Sequence, residues 1–214
     1  MKLTVGQEVL ELLPQKCIWI EERRLLIIAD AHLGKISHFR KSGVAVPEQV
    51  NDKNTENLIM LLQKLKPDRL LFLGDLFHSV YNNEWEVLGQ VRKAFGLCSF
   101  ELVIGNHDIL SEHQYSKHKI QLHPTHLEVG NLIFTHEPME KVPRGKYNLS
   151  GHIHPGVHLQ GIARQSMTLP CFYFGKKTGL LPAFGLFTGL ARIRPKEGDK
   201  VFVIADGTVV EVGS

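Results

Sequence analysis

The chain has 214 residues, 43% of them hydrophobic and 22% charged, with a formal charge of +3; residues 1–214 are expected to form one soluble domain with a full core. No run approaches the roughly 20 apolar residues of a membrane span, and the opening Met-Lys-Leu-Thr-Val-Gly-Gln-Glu lacks the apolar segment of a secretory signal, so a cytoplasmic protein is expected. Cys17, Cys98 and Cys171 are too few and too scattered for a disulfide framework or a CxxC zinc site.

In chain order, two short strands flank Pro14-Gln15-Lys16, the second near Cys17 to Ile20. Apolar runs follow at Arg24 to Ala29, Arg69 to Leu73, Phe100 to Ile104 and Leu132 to Thr135. Each ends in polar or glycine residues, the pattern of strands buried on both faces. Between them Val50, Leu58, Leu61, Leu62 and Leu65 keep one helical face, opened by Pro47 and closed by Pro67. Trp85, Leu88, Val91 and Phe95 keep another. Gly130-Asn131 and Asp206-Gly207 are two-residue hairpin signals, so the second half reads as more antiparallel. The fold class expected is α/β, with two facing sheets and helices outside.

Chemistry gathers where the runs stop. Asp30-Ala-His32 follows Ala29, Gly74-Asp75 follows Leu73, and Gly105-Asn106-His107-Asp108 follows Ile104. His136 follows Thr135, and Gly151-His152-Ile153-His154 follows a short run near Leu149. Sites in open α/β sheets form outside the carboxyl ends of strands. A lone histidine after a strand is usually a loop or core residue, but five such endings in order are not what packing alone delivers. The chain also carries twelve histidines, more than packing usually asks for, and histidine is the commonest metal ligand. Oxygen and imidazole donors without thiolate suit Mn²⁺, Fe or Zn²⁺.

This order, Asp-x-His, Gly-Asp, Gly-Asn-His-Asp, His, Gly-His-x-His, is similar to that of the calcineurin-like metallophosphoesterases, with every motif intact over residues 30 to 154. Ala29-Asp-Ala-His-Leu-Gly-Lys35, Phe72-Leu-Gly-Asp-Leu-Phe-His78, His136-Glu-Pro138, Gly151-His-Ile-His-Pro155 and Leu181-Pro-Ala-Phe-Gly185 resemble the SbcD-related phosphoesterases. Within these the chain most resembles the ligase-associated DNA damage response endonucleases called PdeM, a likeness that includes Leu169-Pro-Cys-Phe172 and Gly198-Asp-Lys-Val-Phe202.

The resemblance implies a four-layer α/β/β/α sandwich and two divalent metal ions, Mn²⁺ above all. Asp30, His32, Asp75 and His154 would hold one ion. Asp75, Asn106, His136 and His152 would hold the other, with Asp75 bridging. Two divalent cations outweigh two carboxylates and a bridging hydroxide by about one positive charge, which would attract a phosphate oxygen and favour in-line attack by that hydroxide. The resemblance makes His107 the group that contacts the scissile phosphate and protonates the leaving oxygen, a task suited to a side chain titrating near neutrality. Asp108 could pair with His107, or could instead cap a helix start. His78, three residues after Asp75, would sit near the phosphate if it is not a plain loop histidine.

No GxxxxGK[ST], GxSxG or GxGxxG motif occurs in a fitting context, which argues against a nucleotide-driven machine or a serine hydrolase. Basic residues cluster at Arg40 and Lys41, at Arg144 and Lys146, at Lys176 and Lys177, and at Arg192, Arg194 and Lys196. Arg40 and Lys41, close behind the first motif and beside Phe39, are the expected phosphate-backbone contacts. SbcD nucleases continue into a separate DNA-contacting domain, whereas the sixty residues after His154 read as strands completing the core. Grip on DNA is therefore expected from core loops, a dimer or a partner. The resemblance implies a DNA endonuclease acting in repair alongside an ATP-dependent DNA ligase. A phosphodiesterase or pyrophosphatase for cyclic nucleotides or nucleotide–lipid conjugates, and a non-catalytic metal-containing binding protein, are the alternatives.

Overall fold

Apolar side chains that alternate between two faces dictate the first sheet. The structure, a computed structural model, describes residues 1–33, 49–77, 81–160, 166–186 and 188–212, and no side chains of residues 49–52. Strands β1 (Lys2–Val5), β2 (Glu8–Leu13), β3 (Cys17–Ile20) and β4 (Leu25–Ala29) pair antiparallel in sequence. From β4 the sheet continues in parallel through β5 (Arg69–Leu73), β6 (Ser99–Val103) and β7 (Ile120–His123). In β4, Leu26 and Ile28 join the core beneath the helices, while Leu25, Ile27 and Ala29 join the core between the sheets. The run expected from Arg24 starts one residue later, because Arg24 is left-handed (φ 43°) and ends a 3₁₀ turn, Glu21–Arg23.

Helix α1 (Gln49–Leu65) lays Leu58, Leu61 and Leu62 on this sheet, as their spacing predicts. Helix α2 (Asn83–Ala94) adds Trp85, Leu88 and Val91. Its start is set by Asn82, whose side chain accepts from the Glu84 amide at 2.9 Å, and its charges follow the helix dipole, Glu84 and Glu86 early and Arg92 and Lys93 late. A short helix α3 (Glu112–Lys117), not expected from the sequence, contributes Tyr115. No described helix is long and apolar enough to cross a membrane.

The second sheet contains β8 (His126–Val129), β9 (Leu132–Thr135), β10 (Tyr147–Ser150), β11 (Pro155–Gln160), β12 (Ser166–Phe174), β13 (Thr178–Leu180) and β14 (Ala191–Arg192), in the order β14-β11-β12-β13-β10-β9-β8. Strands β15 (Lys200–Ala205) and β16 (Thr208–Val212) extend it from β12. Both hairpins expected at its edges form, β8–β9 and β15–β16. The interior is mixed rather than antiparallel, because β9, β10 and β13 run parallel. Hairpin signals report on adjacent strands only and say nothing about such crossovers. Phe134, Leu149, Phe172, Phe174 and Phe202 meet Leu10, Ile18, Ile27, Leu71 and Leu73 between the sheets. At about 1.5–3 kcal/mol for each fully buried large apolar side chain, this layer is a principal source of stability. The result is two mixed sheets flanked by helices, the layering of an α/β/β/α sandwich.

This topology positions the site. The parallel run β4-β5-β6 and the parallel pair β9-β10 each bring their carboxyl ends to one edge. The two edges are stitched together there by Phe184 N, which donates to Ala29 O at 2.9 Å, while Leu181 N to Ser150 O (2.9 Å) and Gly151 N to His136 O (3.0 Å) hold the strand ends of the second sheet to one another. The three cysteines are buried and unpaired by disulfides.

Candidate metal centre

Seven of the side chains marked in the sequence meet at this edge. Asp30 and His32 leave β4, Asp75 leaves β5, Asn106 leaves β6, His136 leaves β9, and His152 and His154 leave β10. Two groups of potential ligands form, Asp30 with His32 and His154, and Asp75 with His136 and His152, the donor atoms of each group lying within 4.8 Å of one another. In the first, His32 Nε2 lies 3.4 Å from His154 Nε2, which lies 3.5 Å from Asp30 Oδ1. In the second, His136 Nε2 lies 3.0 Å from His152 Nδ1, 3.5 Å from Asp75 Oδ1 and 2.9 Å from Asn106 Oδ1. Asp75 stands between them. Its Oδ1 faces His136, and its Oδ2 lies 3.9 Å from His32 Nε2.

The backbone is bent to this purpose. Ten non-glycine residues among those described have positive φ, and five of them are Asp30 (50°), His32 (46°), Asp75 (49°), His152 (66°) and His154 (52°). The left-handed conformation costs about 1–2 kcal/mol for a residue with a Cβ, least for Asp, Asn and His, and such strain concentrates at functional sites. Two glycines make room behind the ligands. A Cβ on Gly74 would overlap the His136 ring, and one on Gly105 would stand 2.5 Å from Asp75 Oδ1.

The donor set fits a pair of divalent cations. Asp30 is fully buried and Asp75 is 3% exposed, yet among the described residues no lysine or arginine pairs with either. Buried carboxylates need a countercharge, and their neighbours here are imidazoles. Two of those rings are held for ligation through Nε2: His136 Nδ1–H donates to Leu73 O at 3.1 Å and His154 Nδ1–H to Gly189 O at 3.3 Å. Carboxylate, amide and imidazole donors without thiolate match Mn²⁺, Fe or Zn²⁺. The structure thus contains two candidate metal-binding sites.

The expected catalytic groups divide. His107 is exposed, its ring centroid 5.9 Å from that of His32, and its amide donates to Asp75 Oδ1 at 2.9 Å. Asp108 directs its carboxylate at backbone: Oδ1 accepts from Leu76 N (2.9 Å) and Phe77 N (3.3 Å), Oδ2 from Gly105 N (2.8 Å). It caps a loop rather than a helix, tying the loop after β6 to the loop after β5. Burial pushes this carboxyl up to about 6 against the pull of the Gly105 amide, and the charge of Asp75 pushes the same way. His78, Arg40 and Lys41 lie outside the described residues.

Sequence reasoning assigned no role to Gly189, whose carbonyl orients His154, because a backbone acceptor leaves no mark in residue types. It also left His123 and Glu101 unassigned. His123 Nε2 lies 2.9 Å from Glu101 Oε2, and Arg69 donates to both Glu101 oxygens at 2.6 and 2.9 Å, a structural network in which Glu101 is buried and its two partners are partly exposed.

Comparison with known proteins bears on this geometry. A family model described as calcineurin-like phosphoesterase matches residues 23–205. The crystal structure of a Pseudomonas putida nuclease, MPE, superposes with a TM-score of 0.83 at 26% identity over 99% of each chain. A protein of unknown function from Aquifex aeolicus aligns over 61% of this chain and 78% of its own, at 20% identity and a TM-score of 0.42. No curated protein sequence matches.

Proposed function

Because the chain belongs to the calcineurin-like phosphoesterase family, we propose that it is a dinuclear-metal phosphodiesterase that cuts DNA internally and serves in DNA repair. The observation that carries this reading is Asp75, which offers one carboxylate oxygen to each of two imidazole-bearing clusters at a shared strand edge. A carboxylate so placed would let Asp75 serve two cations at once, which is what a two-metal hydrolase needs. The full-length likeness to a nuclease supports DNA as the substrate.

Asp30, His32, Asp75 and His154 would hold one cation, and Asp75, Asn106, His136 and His152 would hold the other, with Mn²⁺ a good match to these donors. When bound, the pair supplies Lewis acidity, lowering the pKa of water toward neutrality and drawing charge from the phosphate. His107, exposed beside the first cluster and tethered through its amide to Asp75, contacts the scissile phosphate and gives its proton to the leaving oxygen. Asp108 positions His107 through the backbone, by fixing the turn that carries it. An ATP-dependent DNA ligase is the partner that the resemblance to the ligase-associated endonucleases suggests.

Purified protein should be assayed with Mn²⁺ on circular single- and double-stranded DNA and on a chromogenic phosphodiester. The expected result is nicking that Asp75→Ala abolishes. Diester cleavage without nicking would replace DNA by a small-molecule substrate, and inertness in both assays would leave a binding protein.

A further inference from the structure

Four basic clusters stand out in the sequence, and the topology separates those in the described region. Arg144 and Lys146 precede β10, and Lys176 and Lys177 precede β13, so both pairs lie at the amino ends of strands whose carboxyl ends face the metal centre. Lys146 is also tied to Glu128 (2.7 Å) and to Gly130 O, and Lys177 to Val142 O. Arg192 and Arg194 differ in position. Neither side chain makes an ion pair or hydrogen bond among the described residues, and both are exposed.

Their segment is tied to the metal centre and the strand that leaves it at four described positions. Gly185 N donates to Asp30 O at 3.1 Å, Gly189 O accepts from His154, Ala191 N donates to His154 O at 3.0 Å, and Ile193 N donates to Gly156 O at 2.9 Å. Strand β14 runs parallel to β11 with Arg192 opposite Gly156, two residues beyond His154. The same segment shows apolar surface, with Leu186 42% and Leu190 39% exposed. In extended chain, residues i and i+2 stand roughly 6.6 Å apart, close to the separation of neighbouring phosphates on a stretched single strand.

We propose that Leu186 and residues 188–194 form a track for the polynucleotide backbone, in which Arg192 and Arg194 hold successive phosphates beside the scissile one and Leu186 and Leu190 lie against the sugars and bases. This rests on the phosphodiesterase reading of the adjoining centre and names the part of the chain that makes a polymer the better substrate. A short diester reaches the centre without the track, whereas a polynucleotide needs it. Uncompensated guanidinium groups beside a phosphate-cleaving site favour a polyanion, and their i, i+2 placement favours a flexible strand.

The test compares the wild type with Arg192→Ala/Arg194→Ala by two readouts. Binding of a fluorescein-labelled single-stranded oligodeoxynucleotide is followed by anisotropy in EDTA, where no cleavage proceeds. Turnover of a single-stranded circle and of bis(4-nitrophenyl) phosphate is followed in Mn²⁺. Oligonucleotide affinity should fall about tenfold, the slope of log affinity against log salt should shrink by about 1.4, and the ratio of DNA to small-diester turnover should fall in step. Arg192→Lys/Arg194→Lys should restore most of the affinity. Equal loss on both substrates with binding intact would make the segment a mere support for His154 and overturn the track, as would wild-type affinity in the double alanine variant. Arginine-dependent binding in a protein that never nicks would uphold the track and sink the endonuclease reading. Nicking by the wild type without arginine-dependent binding would do the reverse.

Discussion

At the residue scale, His107 and Glu101 make opposite demands on the same region. His107 is exposed at the rim, with its ring beside His32 and its amide bonded to Asp75. His107→Asn should lower turnover about 10²–10⁴-fold, the usual range for a lost general acid, while elemental analysis still finds two metal ions per chain. Loss of metal would instead make it a ligand. Glu101 is 3% exposed and lies below the centre. Burial resists its charge, but Arg69 and then His123 more than offset this and hold its carboxyl below the usual range. A carboxyl with a lowered folded pKa adds stability that is present above its unfolded value, about 4.3, and is lost as pH falls through the folded value. Glu101→Gln should cost roughly 1–3 kcal/mol at neutral pH, discounted for the partly exposed face of Arg69, and should flatten the acid limb of the stability curve measured by urea unfolding.

At the scale of elements, the loops after β5 and β6 act as one unit because Asp108 accepts three backbone amides across them. Asp108→Ala leaves those donors without their acceptor and frees the turn carrying Asn106 and His107. Mn²⁺ affinity, read by calorimetry, should weaken about 10–100-fold, as for other supports of metal ligands; unchanged affinity would reduce Asp108 to a packing residue. The strand ends themselves were legible in the sequence, because an apolar run followed at once by Asp, His or Asn combines a buried strand with groups that cannot be buried alone. The role of Asp108 was not, since a side chain aimed at amides thirty-two residues away leaves no local spacing to read. The parallel arrangement of β9, β10 and β13 escaped for the same reason. So did the bonds from Leu181, Phe184, Gly185 and Ala191 to Ser150, Ala29, Asp30 and His154, which join positions far apart in sequence through backbone atoms.

For the whole molecule, the candidate centre is where the two sheets are fastened to each other. The His152 amide donates to the Asp30 carboxylate at 2.9 Å, so a ligand from one sheet holds the backbone of the other. Cations bound there should brace the whole fold. At a hundredfold excess over Kd, one site adds about 2.7 kcal/mol, several degrees of melting temperature for a chain of this size. Differential scanning fluorimetry should show that gain with Mn²⁺ and its loss with EDTA; a melting temperature indifferent to both would mean that the clusters take up no ion in the folded state.

The left-handed residues at the strand ends have a corollary for motion. Each of these five residues carries the cost of a left-handed backbone, whereas the strands behind them are locked by apolar layers on both sides. Withdrawal of the ions should therefore quicken amide hydrogen exchange around Asp30, Asp75 and His152–His154 and leave the middles of β4, β5 and β6 slow. Backbone strain is thus confined to the working edge, and any loosening on loss of the ions should stay there, with the packed sheet behind it unmoved.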